Sequence, residues 1–172
     1  MKATRFAVAA LALVSLAACA NNPFGGGDDA VTSAAGGVGA AGSGDVIQEG
    51  SIAFFDQRVG NTVQFLVDQS TLTPEAITVL DSQAAFLTQN PQFNALIEGH
   101  ADEQGTREYN LALGARRASS VFNYLVSRGV AENRLETVTF GKERPVATCS
   151  DESCWSQNRR AVTAVSSGGL GS

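Results

Sequence analysis

The sequence predicts an α+β fold in which two main helices pack on one face of a four-stranded mixed sheet. The first observation is the order of segments, since apolar β-branched runs alternate with two long amphipathic runs as β-α-β-α-β-β. The second is size, because residues 46–166 have a globular composition and roughly 120 residues suffice for one hydrophobic core. We therefore predict one folded domain over residues 46–166.

The first half of this domain is predicted to contain a strand, a helix and a second strand. The β-branched run TVQFLV predicts a strand at residues 62–67. A helix follows, because Thr73 suits the N-cap and Pro74 suits the first helical position. Four residues at helical spacing are predicted to form its buried side: Ile77, Leu80, Ala84 and Leu87. The run FNALIEGH predicts the second strand at Phe93–His100.

The second half is predicted to contain a longer helix and two strands. Thr106 is a favoured N-cap residue, and Glu108 lies in the first turn, where the helix dipole favours a carboxylate. Gly129 is predicted to end this helix. Its buried side is predicted to be an apolar stripe: Leu111, Ala115, Ala118, Phe122 and Leu125. The runs LETVTFG and RRAVTAV predict the last two strands.

The N-terminal segment is predicted to direct secretion and lipidation. Lys2 and Arg5 precede an apolar run that is too short for a permanent transmembrane helix. This order is typical of a signal peptide, predicted over residues 1–18, although a buried helix is the alternative. The sequence LAAC, ending at Cys19, resembles the lipobox of bacterial lipoproteins, which implies that Cys19 is acylated. No aspartate directly follows Cys19, and in that family this implies sorting to the outer membrane.

Residues 19–45 are predicted to form the lipidated cysteine and a flexible tether, and residues 167–172 a tail. Residues 20–44 are rich in Gly and Ala and contain no Lys, Arg or Glu, so they bury too little apolar surface to fold. The formal net charge of −5 includes the positive charges of the signal peptide, so the mature chain is more acidic. This acidity argues against a nucleic-acid partner.

Cys149 and Cys154 are the cysteines that remain outside the N-terminal segment. The predicted secretion places them in an oxidising compartment, which favours a disulfide between them. Zinc is the alternative for two close cysteines, but their spacing is not Cys-x-x-Cys and the chain has no second pair. The disulfide would close a small loop and stiffen it.

Chemically versatile residues concentrate in EGHADEQGTREYNLALGARRA, residues 98–118. His100, Asp102 and Glu103 are metal-ligand types, but catalytic zinc sites usually contain several protein ligands and the chain has one histidine. A Ser-His-Asp triad is disfavoured because the sequence lacks the Gly-x-Ser-x-Gly elbow. We predict no metal site and no catalytic residues. We expect His100 to be a strand-end residue hydrogen-bonded to backbone or a neighbour, with a ligand contact as the alternative.

Asp102 and Arg117 are the candidate binding residues of this stretch. Asp102 follows the second predicted strand in a loop, where binding residues concentrate. Arg117 shares one side of the second helix with Asn110 and Leu113, and we expect that side to be separate from the buried stripe. From spacing alone, a ligand pocket and an exposed charged face with an incidental ion pair remain equal alternatives.

The stretch IEGHADEQGTREYNLALGARRASSVFNYL resembles the signature of the OmpA C-terminal-like, peptidoglycan-binding domain family. The similarity extends over about residues 62–165 and includes FLVDQSTLTPEA, FGKERPVA and NRRAV. With the lipobox and the tether, the whole chain resembles the peptidoglycan-associated lipoproteins of this family. The resemblance implies an OmpA-like domain that is not an enzyme, needs no cofactor, and binds the meso-diaminopimelate of the peptide stem without a covalent bond.

The resemblance also implies which residues bind that ligand. The matching positions of the family pocket are Asp68, Asp102, Leu113 and Arg117. The free end of diaminopimelate carries an ammonium, which suits the aspartates, and a carboxylate, which suits a guanidinium. Val67 stands where an aromatic residue is common, and Gln104 where some relatives have arginine. These departures concern the packing of the ligand rather than its charge pairing.

The resemblance further implies a location and partners. The protein would lie at the periplasmic face of the outer membrane and bind a TolB-type periplasmic protein and other Tol components, acting in envelope integrity and cell division. A cell-wall hydrolase or peptidase is the enzymatic alternative, and Asp102 and Glu103 are its only paired carboxylates in this stretch. A protein–protein scaffold is a third alternative.

We predict that Cys19→Ser yields a soluble or unprocessed protein, because serine carries no thiol for the lipid. Membrane fractionation of cells that produce the variant measures this. The lipidation hypothesis is wrong if the variant partitions into the outer membrane as fully as the unsubstituted protein.

Overall fold

The computed structural model describes residues 47–168. Its elements are α1 (Ile52–Phe54), a π-helix (Phe55–Gly60), β1 (Thr62–Gln64), α2 (Pro74–Gln89), β2 (Phe93–His100), α3 (Arg107–Ser127), a 3-10 helix (Glu132–Arg134), β3 (Leu135–Gly141), α4 (Glu152–Asn158) and β4 (Arg160–Ser167). The predicted signal peptide, Cys19 and the predicted tether at 19–45 lie outside the described residues, as do residues 169–172 of the tail.

The strands form one mixed sheet in the order β1-β4-β2-β3. β2 and β3 are parallel, and α3 supplies the long crossover that parallel neighbours require. β4 is antiparallel to both β1 and β2. The predicted α+β fold with two main helices and a four-stranded mixed sheet is therefore confirmed. No helix between residues 47 and 168 has the length and apolar character needed to span a membrane.

Local sequence signals set most element boundaries. The Thr73 hydroxyl accepts a hydrogen bond from the Ala76 amide at the start of α2, and the Thr106 hydroxyl accepts one from the Tyr109 amide at the start of α3. Both side chains satisfy a backbone N–H group that has no partner within the first helical turn. β2 and β3 have the bounds predicted for them from their apolar runs.

β1 is shorter than the strand predicted at residues 62–67. The Phe65 amide still donates to the Arg159 carbonyl, but the chain then turns, and the Gln69 amide donates to the Leu66 carbonyl at 3.2 Å. Asp68 has φ 58°, a left-handed conformation that ends any strand. The turn carries Asp68 away from the sheet edge.

The hydrophobic core lies between the sheet and the two long helices. Phe55, Leu80, Leu87, Ile97 and Leu125 are completely buried. Burial of each such side chain stabilises the fold by about 1.5–3 kcal/mol relative to exposure. Leu80 and Leu87 come from the predicted buried side of α2, whereas Ile77 is only half-buried.

α3 approaches β2 so closely that glycine is required on both elements. A Cβ atom added to Gly99 would lie 1.9 Å from the Gly114 carbonyl oxygen, and one added to Gly114 would lie 2.4 Å from Thr139 Oγ1. Backbone-to-backbone contact of this kind leaves no room for a methyl group. It brings the first turns of α3 next to the loop that follows β2.

The predicted buried stripe of α3 is wrong in its orientation. The buried residues of α3 are Asn110, Leu113, Gly114, Arg117, Ala118, Val121 and Leu125. Of the predicted stripe Leu111, Ala115, Ala118, Phe122 and Leu125, only Ala118 and Leu125 are fully buried, and Ala115 is exposed. The prediction relied on apolar character alone. Because the sheet lies so close to α3, the buried face of α3 also includes a glycine and hydrogen-bonded polar residues.

A short helix after β3 was not predicted. Asp151 caps α4 by accepting a hydrogen bond from the Ser153 amide at 2.8 Å. Cys149 and Cys154 are joined by a disulfide across its first turn, with Cα atoms 5.6 Å apart. The pair thus closes a small loop against the start of α4.

Arg117 is completely buried, contrary to the expectation that it lies off the buried side of α3. Its Nε donates to the Gln69 carbonyl at 2.8 Å, and its Nη1 donates to the His100 carbonyl at 2.8 Å. Its Nη2 donates to the Leu66 carbonyl at 3.1 Å. Arg117 therefore ties the turn after β1 to the end of β2.

His100 is a buried strand-end residue, but the expected hydrogen bond is not formed. Its ring nitrogens have no hydrogen-bond partner within residues 47–168, and Nε2 lies 3.6 Å from Glu98 Oε2. The ring packs against Phe140 with centroids 5.5 Å apart. Burial, with smaller contributions from Arg160 and Arg144, lowers the pKa of His100 from 6.5 to about 4.

We predict that Arg117→Ala destabilises the fold by about 3 kcal/mol. The substitution leaves the buried His100 carbonyl without its donor, which costs about 1–3 kcal/mol, and removes a completely buried side chain. Urea denaturation measures the free energy of unfolding. Arg116→Ala is the control, because Arg116 is exposed and is expected to change stability by less than about 0.5 kcal/mol. Equal stabilities of the two variants would contradict the anchoring role.

We predict that His100 makes the folded state less stable in acid. The pKa of His100 is lower in the folded chain than in the unfolded chain, so the unfolded chain binds the proton first. The folded state therefore keeps its full stability above about pH 6.5. Its free energy of unfolding falls by up to roughly 3 kcal/mol as the pH falls to about 4.

The measurement is urea denaturation between pH 4 and pH 7, with His100→Phe as the comparison. Glu98, Arg144 and Arg160 face the ring and are unchanged in that variant. A pH dependence as steep in His100→Phe as in the unsubstituted protein would show that His100 is not its source.

Candidate functional site

A pocket of about 240 Å³ lies where the ends of β1 and β2 meet the first turns of α3. The lining residues are Val67, Asp68, Asp102, Gln104, Gly105, Tyr109, Asn110 and Leu113. The structure thus brings together three of the residues predicted to bind a ligand, Asp68, Asp102 and Leu113. Arg117 is the fourth and lies among the buried residues of α3 rather than on the pocket wall.

Asp102 is held from two sides. It is the second residue after β2 and is 7% exposed. Its Oδ1 accepts a hydrogen bond from the Gln104 amide at 3.2 Å, and its Oδ2 accepts one from Arg159 Nη1 at 3.3 Å. A carboxylate oxygen accepts more than one hydrogen bond, so both oxygens retain capacity for a donor in the pocket.

Asp68 also lines the pocket. Its left-handed backbone conformation places it in the turn after β1, and its Oδ1 accepts a hydrogen bond from the Tyr109 hydroxyl. Tyr109 and Val67 are both about half exposed, at 43% and 54%. The pocket therefore combines two carboxylates with apolar surface, a composition that suits a cationic group on an aliphatic chain.

Two arginines carry the positive charge near these carboxylates. Burial lowers the pKa of Arg117 from its ordinary value to about 10, and Asp102 and Asp68 oppose that shift, so Arg117 remains charged at neutral pH. The pKa of Arg159 is raised, first by its hydrogen bond to Glu152 and then by Asp102. A guanidinium has five N–H donors, and three of those of Arg117 are bound to carbonyl oxygens. Because Arg117 is completely buried and bound to three carbonyl oxygens, its guanidinium anchors the segments that form the pocket.

The first turn of α3 forms one side of the pocket. Asn110 Nδ2 donates to the Gln104 carbonyl at 2.7 Å, while its Oδ1 has no partner within the described part of the chain. Lys142 Nζ donates to the Gly105 carbonyl at 2.8 Å and fixes the same loop from outside. The sequence interpretation placed Asn110 on the side of Leu113 and Arg117 but assigned no pocket role to it, to Tyr109 or to Arg159. These roles depend on contacts distant in sequence.

One group of residues in the 47–168 range has the composition of a metal site. Cys149, Asp151 and Cys154 place a carboxylate and two sulfur atoms within 4.8 Å of one another. Metals bind cysteine as the thiolate, whereas these sulfur atoms are bonded to each other. The group fits a disulfide rather than a metal.

A model of the OmpA family matches residues 64–159. A peptidoglycan-associated lipoprotein of Mesorhizobium japonicum is 47% identical over 162 residues, which are 94% of this chain and 92% of the relative. One of Rhizobium meliloti is 55% identical over 123 residues, 72% of this chain and 69% of the relative. One of Pseudomonas aeruginosa is 45% identical over 168 residues, 93% of this chain and 95% of the relative.

Solved structures with the same fold include another peptidoglycan-associated lipoprotein. The peptidoglycan-associated lipoprotein from Burkholderia pseudomallei has a TM-score of 0.64 and 37% identity, covering 67% of this chain and 100% of its own. The C-terminal domain of Helicobacter pylori MotB has a TM-score of 0.59 at 18% identity over 63% of this chain and 85% of its own, which shows a shared fold.

The names of the relatives describe lipoproteins and not enzymes, which agrees with the prediction of a non-enzymatic protein. The family match covers more than half of the chain, and the Mesorhizobium relative matches over nearly all of it. The chain therefore belongs to the OmpA family, among the peptidoglycan-associated lipoproteins.

Proposed function

We propose that the protein binds peptidoglycan without a covalent bond, by taking the free end of meso-diaminopimelate into the pocket of Asp68, Asp102 and Leu113. The observation that carries the proposal is that two carboxylates, those of Asp68 and Asp102, line one small pocket together with the apolar side chain of Leu113. The family of the chain supports the choice of ligand, because its relatives are named for their association with peptidoglycan.

The ligand chemistry fits the two halves of the pocket. The ammonium of diaminopimelate would donate to Asp102 and Asp68, and its methylene chain would lie against Leu113. Each charge-assisted hydrogen bond contributes about 1.5–3 kcal/mol, so two or three support an affinity of roughly micromolar order after the costs of binding. A contact of this strength is reversible, which suits a wall that grows.

The ligand carboxylate would lie at the start of α3. The first amides of a helix point outward and its dipole favours an anion there. Arg117 completes the proposed site as a buried positive charge behind the pocket and as the anchor of its two walls. In this proposal it acts on the carboxylate through charge and not through an exposed fork.

The same proposal includes a membrane anchor and partners. Lipid on Cys19 would hold the protein at the periplasmic face of the outer membrane, and residues 19–45 would let the domain reach the wall. A TolB-type periplasmic protein and other Tol components are the proposed partners, in envelope integrity and cell division. The lipobox sequence and the family of the chain support these points of the proposal.

A cell-wall hydrolase is less well supported by the same residues. A general acid needs a raised pKa, whereas the hydrogen bond from Trp155 lowers the pKa of Glu103. Asp102 is paired with a buried arginine. Glu103 thus lacks the raised pKa of a general acid, and the charge of Asp102 is held in an ion pair.

We predict that Asp102→Asn weakens binding to purified sacculi about thirtyfold or more, because loss of one charged partner costs roughly 2–5 kcal/mol. Asparagine keeps the shape and an oxygen for the Gln104 amide, so the fold should persist. Sedimentation with sacculi, with and without free meso-diaminopimelate as competitor, measures binding.

Glu136→Gln is the matched control, since Glu136 is an exposed acid on β3 away from the pocket. Undiminished sedimentation of Asp102→Asn would contradict the assignment of the pocket. Release of soluble wall fragments by the unsubstituted protein would instead support the hydrolase.

A further inference from the structure

Arg159 connects the pocket to a part of the chain that the proposed ligand does not touch. It follows α4 directly and is 4% exposed. Its Nη1 donates to Asp102 Oδ2 at 3.3 Å, and its Nε donates to the Phe65 carbonyl at 3.3 Å. One side chain therefore contacts the two segments that lead to the pocket carboxylates, the end of β2 and the end of β1.

Glu152 shares the charge of Arg159. Nη1 of Arg159 donates to Glu152 Oε2 at 3.2 Å, and Nη2 donates to Glu152 Oε1. The Glu152 side chain is 63% exposed, whereas that of Arg159 is 5% exposed. Because Glu152 balances Arg159 from the solvent side, the negative charge of Asp102 is not fully neutralised and remains available to a cation in the pocket.

α4 is fixed at its first turn and contacts the pocket loop from its middle. The Cys149–Cys154 disulfide and the Asp151 cap fix its first turn. Trp155 Nε1 then donates to Glu103 Oε1 at 3.0 Å, next to the Arg159 contact with Asp102. The helix thus contacts two consecutive residues of the loop that follows β2.

We propose that Arg159 is a positioning residue of the pocket, which fixes the Asp102 carboxylate from α4, and that Glu152 sets how much negative charge Asp102 presents. The inference rests on the proposed function, because its ligand is the diaminopimelate ammonium. The Gln104 amide holds one carboxylate oxygen and Arg159 holds the other. Two fixed points stop the carboxylate from rotating, so it meets the ligand without reorganisation.

The experiment compares Arg159→Lys with Arg160→Lys. Lysine keeps the charge but cannot contact Asp102, Glu152 and the Phe65 carbonyl together. Arg160 is the next residue, is also buried, and donates to the Asn158 and Arg144 carbonyls away from the pocket. Calorimetric titration with free meso-diaminopimelate measures affinity, and thermal melts measure stability.

We expect both variants to lose stability. Only Arg159→Lys is expected also to lose affinity, by about tenfold to hundredfold, which is the loss seen when a residue that orients a metal-binding side chain is replaced. Before ligand is added, NMR measures the chemical shift of the Gln104 amide proton. This chemical shift is expected to change in Arg159→Lys and to stay unchanged in Arg160→Lys, a result that a merely structural role would not produce.

Glu152→Gln tests the charge argument on an exposed residue whose loss leaves the core intact. It should weaken binding several-fold while Glu136→Gln leaves binding unchanged. If the unsubstituted protein binds meso-diaminopimelate and Arg159→Lys binds it equally, the positioning role is overturned while the proposed function stands. If the unsubstituted protein does not bind it, the proposed function fails and this inference with it.

Discussion

The Arg117 guanidinium donates to the carbonyl oxygens of Leu66, Gln69 and His100 from a completely buried position on α3. Burial of a charge is costly unless hydrogen bonds and opposite charges compensate. Here the carbonyls supply the hydrogen bonds, and Asp102 and Asp68 favour the charged form. The turn after β1 and the end of β2 are consequently held at one distance from α3, and that distance defines the pocket.

Arg117 reaches these carbonyls only because α3 lies so close to the sheet. Gly99 and Gly114 bring the two backbones into contact where any Cβ atom would collide. The same contact places Leu113 and Asn110 beside the loop that begins with Asp102. Packing of the core and construction of the pocket therefore depend on one interface, and a change in either glycine would alter both.

The charges of the site form two layers. Asp68 and Asp102 line the pocket, and Arg117 and Arg159 lie among the buried residues behind them. The loop between β2 and α3 is held from outside by Lys142 and Trp155. Contacts made within the chain itself order the pocket carboxylates, which lowers the ordering cost of the proposed binding.

The sequence by itself determined the order of the four strands and two long helices, the helix starts at Thr73 and Thr106, and the bounds of β2 and β3, because caps and apolar periodicity are local signals. It also placed Asp102 in a loop after a strand, and family resemblance added Asp68 and Leu113. The tertiary structure alone decided which face of α3 is buried, since that choice follows from backbone proximity and not from hydrophobicity. It likewise paired Asp102 with Arg159 across 57 residues, a contact that no local pattern encodes.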